Sequence, residues 1–161
     1  MGIFDKLFHK SVPEIGAPAA GACVPLSEVN DPVFSQEILG PGVAIRPSEG
    51  RIVAPCDGVI DVMFDTGHAV SLTADFGAEI LIHVGLDTVK LGGKHYTVHA
   101  KNGDAVKKGQ LLIEFDREAI AAEGYDTVTP VIVCNRDDFS DFKTFPADPV
   151  AAGDRIITVE K

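Results

Sequence analysis

The feature that most constrains this chain is how its apolar residues are punctuated. From about Val24 onward they come in short runs of Val, Ile and Leu, broken by Gly, Pro, Asp and Asn. "VAIRP" (Val43–Pro47), "RIVAP" (Arg51–Pro55), "GVIDVMF" (Gly58–Phe64), "HAVSLTA" (His68–Ala74), "EILIHVG" (Glu79–Gly85), "LLIEF" (Leu111–Phe115), "TPVIVCN" (Thr129–Asn135) and "DRIITVEK" (Asp154–Lys161) all read as strands. The convincing helix is "DREAIAAEG", which Asp116 can cap and Gly124 can end. Many short strands at this spacing predict an all-β chain, a β-sandwich or partly closed barrel with one or two short helical segments.

A length of 161 residues suggests one domain, expected over residues 24–161. Residues 1–23 read as a separate segment. Ile3, Phe4, Leu7 and Phe8 share one side of Met1–Lys10 at helical spacing, which fits either a short amphipathic helix in weak contact with a membrane surface or a frayed end. "SVPEIGAPAAGAC" (Ser11–Cys23) has the Pro, Ala and Gly content of a mobile linker. The formal net charge of −10 speaks against nucleic acid as a partner. Cys23, Cys56 and Cys134 are odd in number and form no C-x-x-C, which fits a reducing compartment. With no apolar membrane span and no apolar run of a signal peptide, the expected location is the cytoplasm.

"ILIHVGLDTV" (Ile80–Val89) places a histidine inside a strand heading for the core. The bland reading of His83 is a buried imidazole with a hydrogen-bond partner; the sharper one is a reactive ring at the mouth of a site. The preceding strand supplies a neighbour. If Asp75 and Phe76 form a two-residue loop, Leu72 pairs with Glu79, Val70 with Leu81 and His68 with His83; a four-residue loop keeps this pairing. The two Cβ atoms then stand roughly 5 Å apart, with Val70 and Leu81 beside them and Ile80, Ile82 and Val84 in the core. A three-residue loop shifts the register by one and separates the imidazoles onto opposite faces. Two neutral histidines at this separation can share a site, one as nucleophile and one as hydrogen-bond donor. The hairpin alone leaves a metal-free structural pair equally open.

"NGDAVKKGQLL" carries a second signal: Gly103 and Gly109 permit tight turns, with Val106 as an apolar plug between them. The same signature occurs in biotinyl and lipoyl carrier domains. Those need a modified lysine at a hairpin tip, and no lysine lies between Val53 and Thr88. A zinc hydrolase would have to gather His68, His83, His95 and His99. "HYTVH" favours a strand, which separates His95 and His99 by ~13 Å, and no H-E-x-x-H is present.

"VAPCDGVI", "FDTGHAVSL", "ILIHVGLDTVKLGG", "NGDAVKKGQLLIEFD" and "TPVIVCN", in this order, closely resemble the glucose-type enzyme IIA of the bacterial phosphoenolpyruvate-dependent sugar phosphotransferase system. The resemblance implies an antiparallel β-sandwich that takes a phosphoryl group from the histidine phosphocarrier HPr and passes it to a cysteine of a permease IIB domain, without a cofactor. It implies that Nε2 of His83 is phosphorylated, that His68 donates to the phosphoryl oxygens, that Thr66 orients His68, and that the backbone of Gly85 holds the other nitrogen of His83. It further implies an apolar docking surface of Val33, Phe34, Phe64, Leu81 and Val89, with Asp31 and Asp87 at its rim, suited to a partner whose active histidine sits beside arginine. Metabolic enzymes or permeases under regulation are further partners it suggests. No resident metal is implied; His68 and His83 could take adventitious zinc, or share one with a partner's carboxylate. Gly67 stands where some relatives have Asn, and Leu81 where some have an aromatic. The opening "MGIFDKL" looks like the family's free-standing form.

Overall fold

The computed structural model describes residues 12–161. Its strands are β1 (Glu14–Gly16), β2 (Gly21–Pro25), β3 (Gly42–Pro47), β4 (Arg51–Val53), β5 (Gly58–Met63), β6 (Ala69–Ala74), β7 (Glu79–His83), β8 (Tyr96–Val98), β9 (Ala105–Val106), β10 (Leu111–Phe115), β11 (Thr129–Val133), β12 (Asp141–Thr144), β13 (Ala147–Val150) and β14 (Arg155–Glu160). They form an eight-stranded sheet, in the order β13-β2-β3-β11-β7-β6-β5-β9, and two three-stranded sheets, β1-β14-β12 and β4-β10-β8. Every pairing is antiparallel, and no sheet closes on itself. The architecture is the expected antiparallel sandwich, left open.

Two short α-helices join these strands. Helix α1 (Pro32–Ser35) has Asp31 as its cap, its carboxylate accepting from Val33 N–H at 3.0 Å. Helix α2 (Arg117–Ala122) lies where "DREAIAAEG" predicted it, capped by Asp116 on Ala119 N–H at 3.0 Å. No helix among the described residues is long and apolar enough to cross a membrane.

The large sheet is wetted unevenly, and that places the site. On one face Ile80 and Ile82 of β7, Val70 and Leu72 of β6, and Val131 and Val133 of β11 enter the main core. On the other face a smaller cluster of Leu26, Val29, Phe34, Ala44, Leu86, Val128 and Ile132 covers part of β3 and β11, with Leu81 packed at its margin. Burial on both faces fits the sequence of β11, where Thr129 is followed by the apolar run "PVIV" and all five residues are buried. Beyond the small cluster the sheet face opens, and His83 emerges there.

The β6–β7 register differs from the expected one. Ala69 pairs with His83, Val70 with Ile82, Leu72 with Ile80 and Thr73 with Glu79. The loop has three residues, Asp75–Gly77, closed by Gly77 N–H on Ala74 O at 2.8 Å and Ala74 N–H on Ala78 O at 2.9 Å. Gly77 sits at φ +94°, the left-handed residue such a loop needs. Core burial selects this register, because Val70 and Leu72 meet Ile82 and Ile80; the expected pairing set Leu72 against Glu79. Val70 accordingly belongs to the core rather than beside the imidazoles.

The linker reading of Ser11–Cys23 is also corrected where the structure describes it. Ile15, Ala17 and Ala19 are buried, β1 pairs with β14, and β2 lies inside the large sheet. The packed unit therefore begins before residue 24. The readings of Met1–Lys10, as membrane-touching helix or frayed end, fall outside the described residues.

Candidate functional site

In the observed register His68 lies one residue outside β6, and simple alternation would put its ring on the face opposite His83. The chain avoids this by turning through Thr66–His68 before it enters the strand. The His68 carbonyl accepts from Val84 N–H at 2.6 Å. Its ring comes to 5.2 Å from that of His83, centroid to centroid, with 76° between the planes. The two imidazoles meet as expected, through a bend rather than a direct cross-strand pair.

Each ring has a fixed partner on its inner nitrogen. Nδ1 of His83 lies 2.6 Å from the carbonyl oxygen of Gly85. A carbonyl can only accept, so Nδ1 carries the proton and Nε2 is left with a free lone pair. Gly85 turns its carbonyl back by adopting φ +96°, and a Cβ there would stand 2.5 Å from Thr88 Cγ2. Nδ1 of His68 is hydrogen-bonded to the Thr66 hydroxyl.

The surroundings keep both rings neutral. Burial, and then the neighbouring His83, pull His68 below the ordinary histidine value. Burial does the same to His83, opposed by the Gly85 hydrogen bond and by the carboxylates of Asp31 and Asp87. Asp31 caps α1, its carboxylate held by Val33 N–H, and Asp87 opens the 3₁₀ turn Thr88–Leu91 without a cap bond from its side chain.

Two of the expected apolar residues touch the pair. Phe34 packs on His83 and Phe64 on His68, each at 5.2 Å between centroids. Phe34 is buried in the small cluster, Leu81 sits at its margin, and Val33, Phe64 and Val89 are exposed. Sequence reasoning did not single out Ile38, exposed at 63%, and Leu39, two exposed apolar residues in the loop after α1. Two apolar residues before a glycine in "SQEILG" were a signal for them.

The other chemistries find less. His95 is bonded to Glu123, and His99 to Glu114 at 2.7 Å, so neither joins the His68–His83 pair. Among the described residues no group of three or more His, Cys, Asp or Glu could hold a metal ion. Val106 is buried between turns at Gly103 and Gly109, as the carrier-like motif predicted, but the adjoining Lys107 faces Asp57 at 3.7 Å. Burial holds the thiols of Cys23 and Cys56 up at about 11 and about 12.

The fold is an open antiparallel sandwich that apposes two neutral imidazoles, with Phe34, Phe64, Asp31 and Asp87 beside them. The chain belongs to the EIIA 1 family of the phosphoenolpyruvate-dependent sugar phosphotransferase system, whose sequence profile matches residues 13–139. It is 43% identical over 141 residues to the PTS system glucose-specific EIIA component of Oceanobacillus iheyensis, covering 88% of this chain and 86% of that one. It is 52% identical over 126 residues to the PTS system beta-glucoside-specific EIIBCA component of Bacillus subtilis, covering 78% of this chain and 21% of that one. The corresponding component of Halalkalibacterium halodurans is 45% identical over 148 residues, or 92% of this chain and 23% of that one. The chain thus spans less than a quarter of these EIIBCA relatives. Among solved structures, glucose permease IIA from Mycoplasma capricolum superposes with a TM-score of 0.85 at 29% identity, covering 96% of this chain and 99% of that one.

Proposed function

We propose that this chain is a cytoplasmic phosphocarrier of sugar uptake in which Nε2 of His83 accepts a phosphoryl group from phospho-HPr and passes it to a cysteine of a permease IIB domain. The observation that carries the reading is the Gly85 carbonyl on Nδ1, which leaves Nε2 as the nucleophile with the His68 ring 5.2 Å away. The Nε2 lone pair attacks phosphorus as the bond from phosphorus to the donor histidine breaks. The later attack of the IIB thiolate breaks the Nε2–phosphorus bond and restores the neutral ring. The proton stays on Nδ1 throughout, donated in a hydrogen bond to the Gly85 carbonyl. When the Thr66 hydroxyl donates to Nδ1 of His68, the His68 proton sits on Nε2 and can be given to a phosphoryl oxygen. Such transfers have loose transition states with spread charge, so positioned donors are the protein's main contribution.

Val33, Phe34, Phe64, Leu81 and Val89 form the docking surface, and Asp31 and Asp87 meet basic groups on the donor. A phosphoryl group on His83 places charge in the middle of this apolar face, which would also let the chain bind regulated enzymes or permeases in one state only. The test is transfer from labelled phosphoenolpyruvate through enzyme I and HPr, with mass mapping of the labelled residue. His83→Ala is expected to take no label, and His68→Gln to take label but pass it on poorly. Label on the His83→Ala protein refutes the reading.

A further inference from the structure

One residue, Val84, joins the two histidine-bearing segments through its backbone. β7 ends at His83, so Val84 is beyond the ladder that β7 makes with β11. Its N–H is taken by the His68 carbonyl at 2.6 Å. Its carbonyl oxygen accepts twice, from the Thr88 hydroxyl at 2.8 Å and the Tyr96 hydroxyl at 2.7 Å. Thr88 is fully buried, and its Cγ2 packs where a side chain on Gly85 would be. The Tyr96 ring stacks on Phe115 at 6.3 Å and passes against Gly67, where an added Cβ would lie 2.9 Å from the tyrosine Cβ. Tyr96 therefore touches the backbone beside both histidines without reaching either ring.

We infer that Thr88 and Tyr96 are positioning residues that hold the Val84 carbonyl, and through it the Gly85 carbonyl, so that His83 presents Nε2 rather than Nδ1 to phosphorus. Gly85 is free to turn in the absence of side-chain restraint. Its flanking peptides fix it: the Val84 carbonyl by the two hydroxyls, Gly85 N–H by Val128 O at 3.1 Å, and Leu86 N–H by Asp126 O at 3.0 Å. The two hydroxyls are the side-chain component of that frame. Burial raises the Tyr96 phenol, which keeps it a neutral donor across the working pH range.

This role rests on the phosphocarrier reading, but its first readout does not. Nitrogen-15 NMR of the His83 ring reports the tautomer without any phosphoryl group. In the parent chain Nδ1–H is expected alone. In Tyr96→Phe, and further in Tyr96→Phe/Thr88→Val, both tautomers are expected to appear, while Thr88→Ser keeps the parent pattern. Losing a neutral hydrogen bond of this kind slows phosphoryl acceptance by about threefold to tenfold. A Tyr96→Phe chain that stays folded, shows only Nδ1–H and accepts phosphoryl at the parent rate overturns the inference; this single variant removes one oxygen and keeps the stacked ring. A parent chain that takes no phosphoryl refutes the carrier reading, while the tautomer still decides the positioning role.

Discussion

At the residue scale the site is a problem of keeping two imidazoles neutral side by side. Both lie below the ordinary histidine value, chiefly through burial, so both are uncharged in the folded chain at neutral pH. The unfolded chain protonates its histidines near pH 6.5, so just below that pH it holds more protons than the folded chain. The stability linked to these rings is fully present above about pH 6.5 and is lost as pH falls through the folded-state values. Asp31 and Asp87 oppose the depression of His83. Asp31→Asn and Asp87→Asn should each lower the His83 titration further, and His83→Gln should let His68 rise part of the way back. Proton NMR titration of the ring signals measures both. A rise of His83 in either asparagine variant would contradict the assigned cause.

At the element scale the β6–β7 hairpin sets where His83 stands and the bend at Thr66–His68 brings His68 to it; the hairpin turn is at the end remote from the rings. Gly77→Ala puts a side chain at φ +94°, which costs about 1–2 kcal/mol. Urea unfolding should show that loss with an unchanged slope, while His83 labelling stays at the parent level; an alanine variant of parent stability would argue against the three-residue turn. This hairpin also shows what could be read in advance. "AVSLTA" and "EILIH" declared themselves by alternation, but counting from the turn set Leu72 against Glu79, and only core burial, which sets Leu72 against Ile80, corrects that register. The bend at Thr66–His68, which returns His68 to His83, carries no such pattern. β1 and β2 were hidden for another reason. Ala17 and Pro18 make backbone bonds to Asp154, Gly153 and Val53, segments distant in sequence, and small residues suit that close packing although their composition resembles a linker. Thr88 and Tyr96 were equally silent, since what they do is hold a carbonyl outside any repeat. The histidine pair was legible in the hairpin itself, while the glycine and the carboxylates came from the family resemblance, and the structure places each of them around one pair of rings.

At the scale of the whole molecule, an acidic chain presents an apolar face around neutral rings. Net charge −10 keeps the chain soluble and favours basic partners, while Asp31 and Asp87 concentrate negative potential beside His83. Docking should therefore divide into a salt-sensitive approach and a salt-insensitive seating on apolar side chains. Val89 is exposed at 53% in the turn that follows Asp87, whereas Val59, exposed at 44%, pairs with Thr73 near the far end of the hairpin. A glutamate at either position adds the same charge to a similarly exposed site. Val89→Glu should raise the HPr concentration for half-maximal transfer by about tenfold, the size of a lost interface anchor, with a smaller change in the limiting rate. Val59→Glu should leave both near the parent values, and added salt should slow transfer to the parent chain. Equal effects of the two glutamates would locate the face elsewhere, because a general increase in negative charge would then account for the loss without any seating around His83.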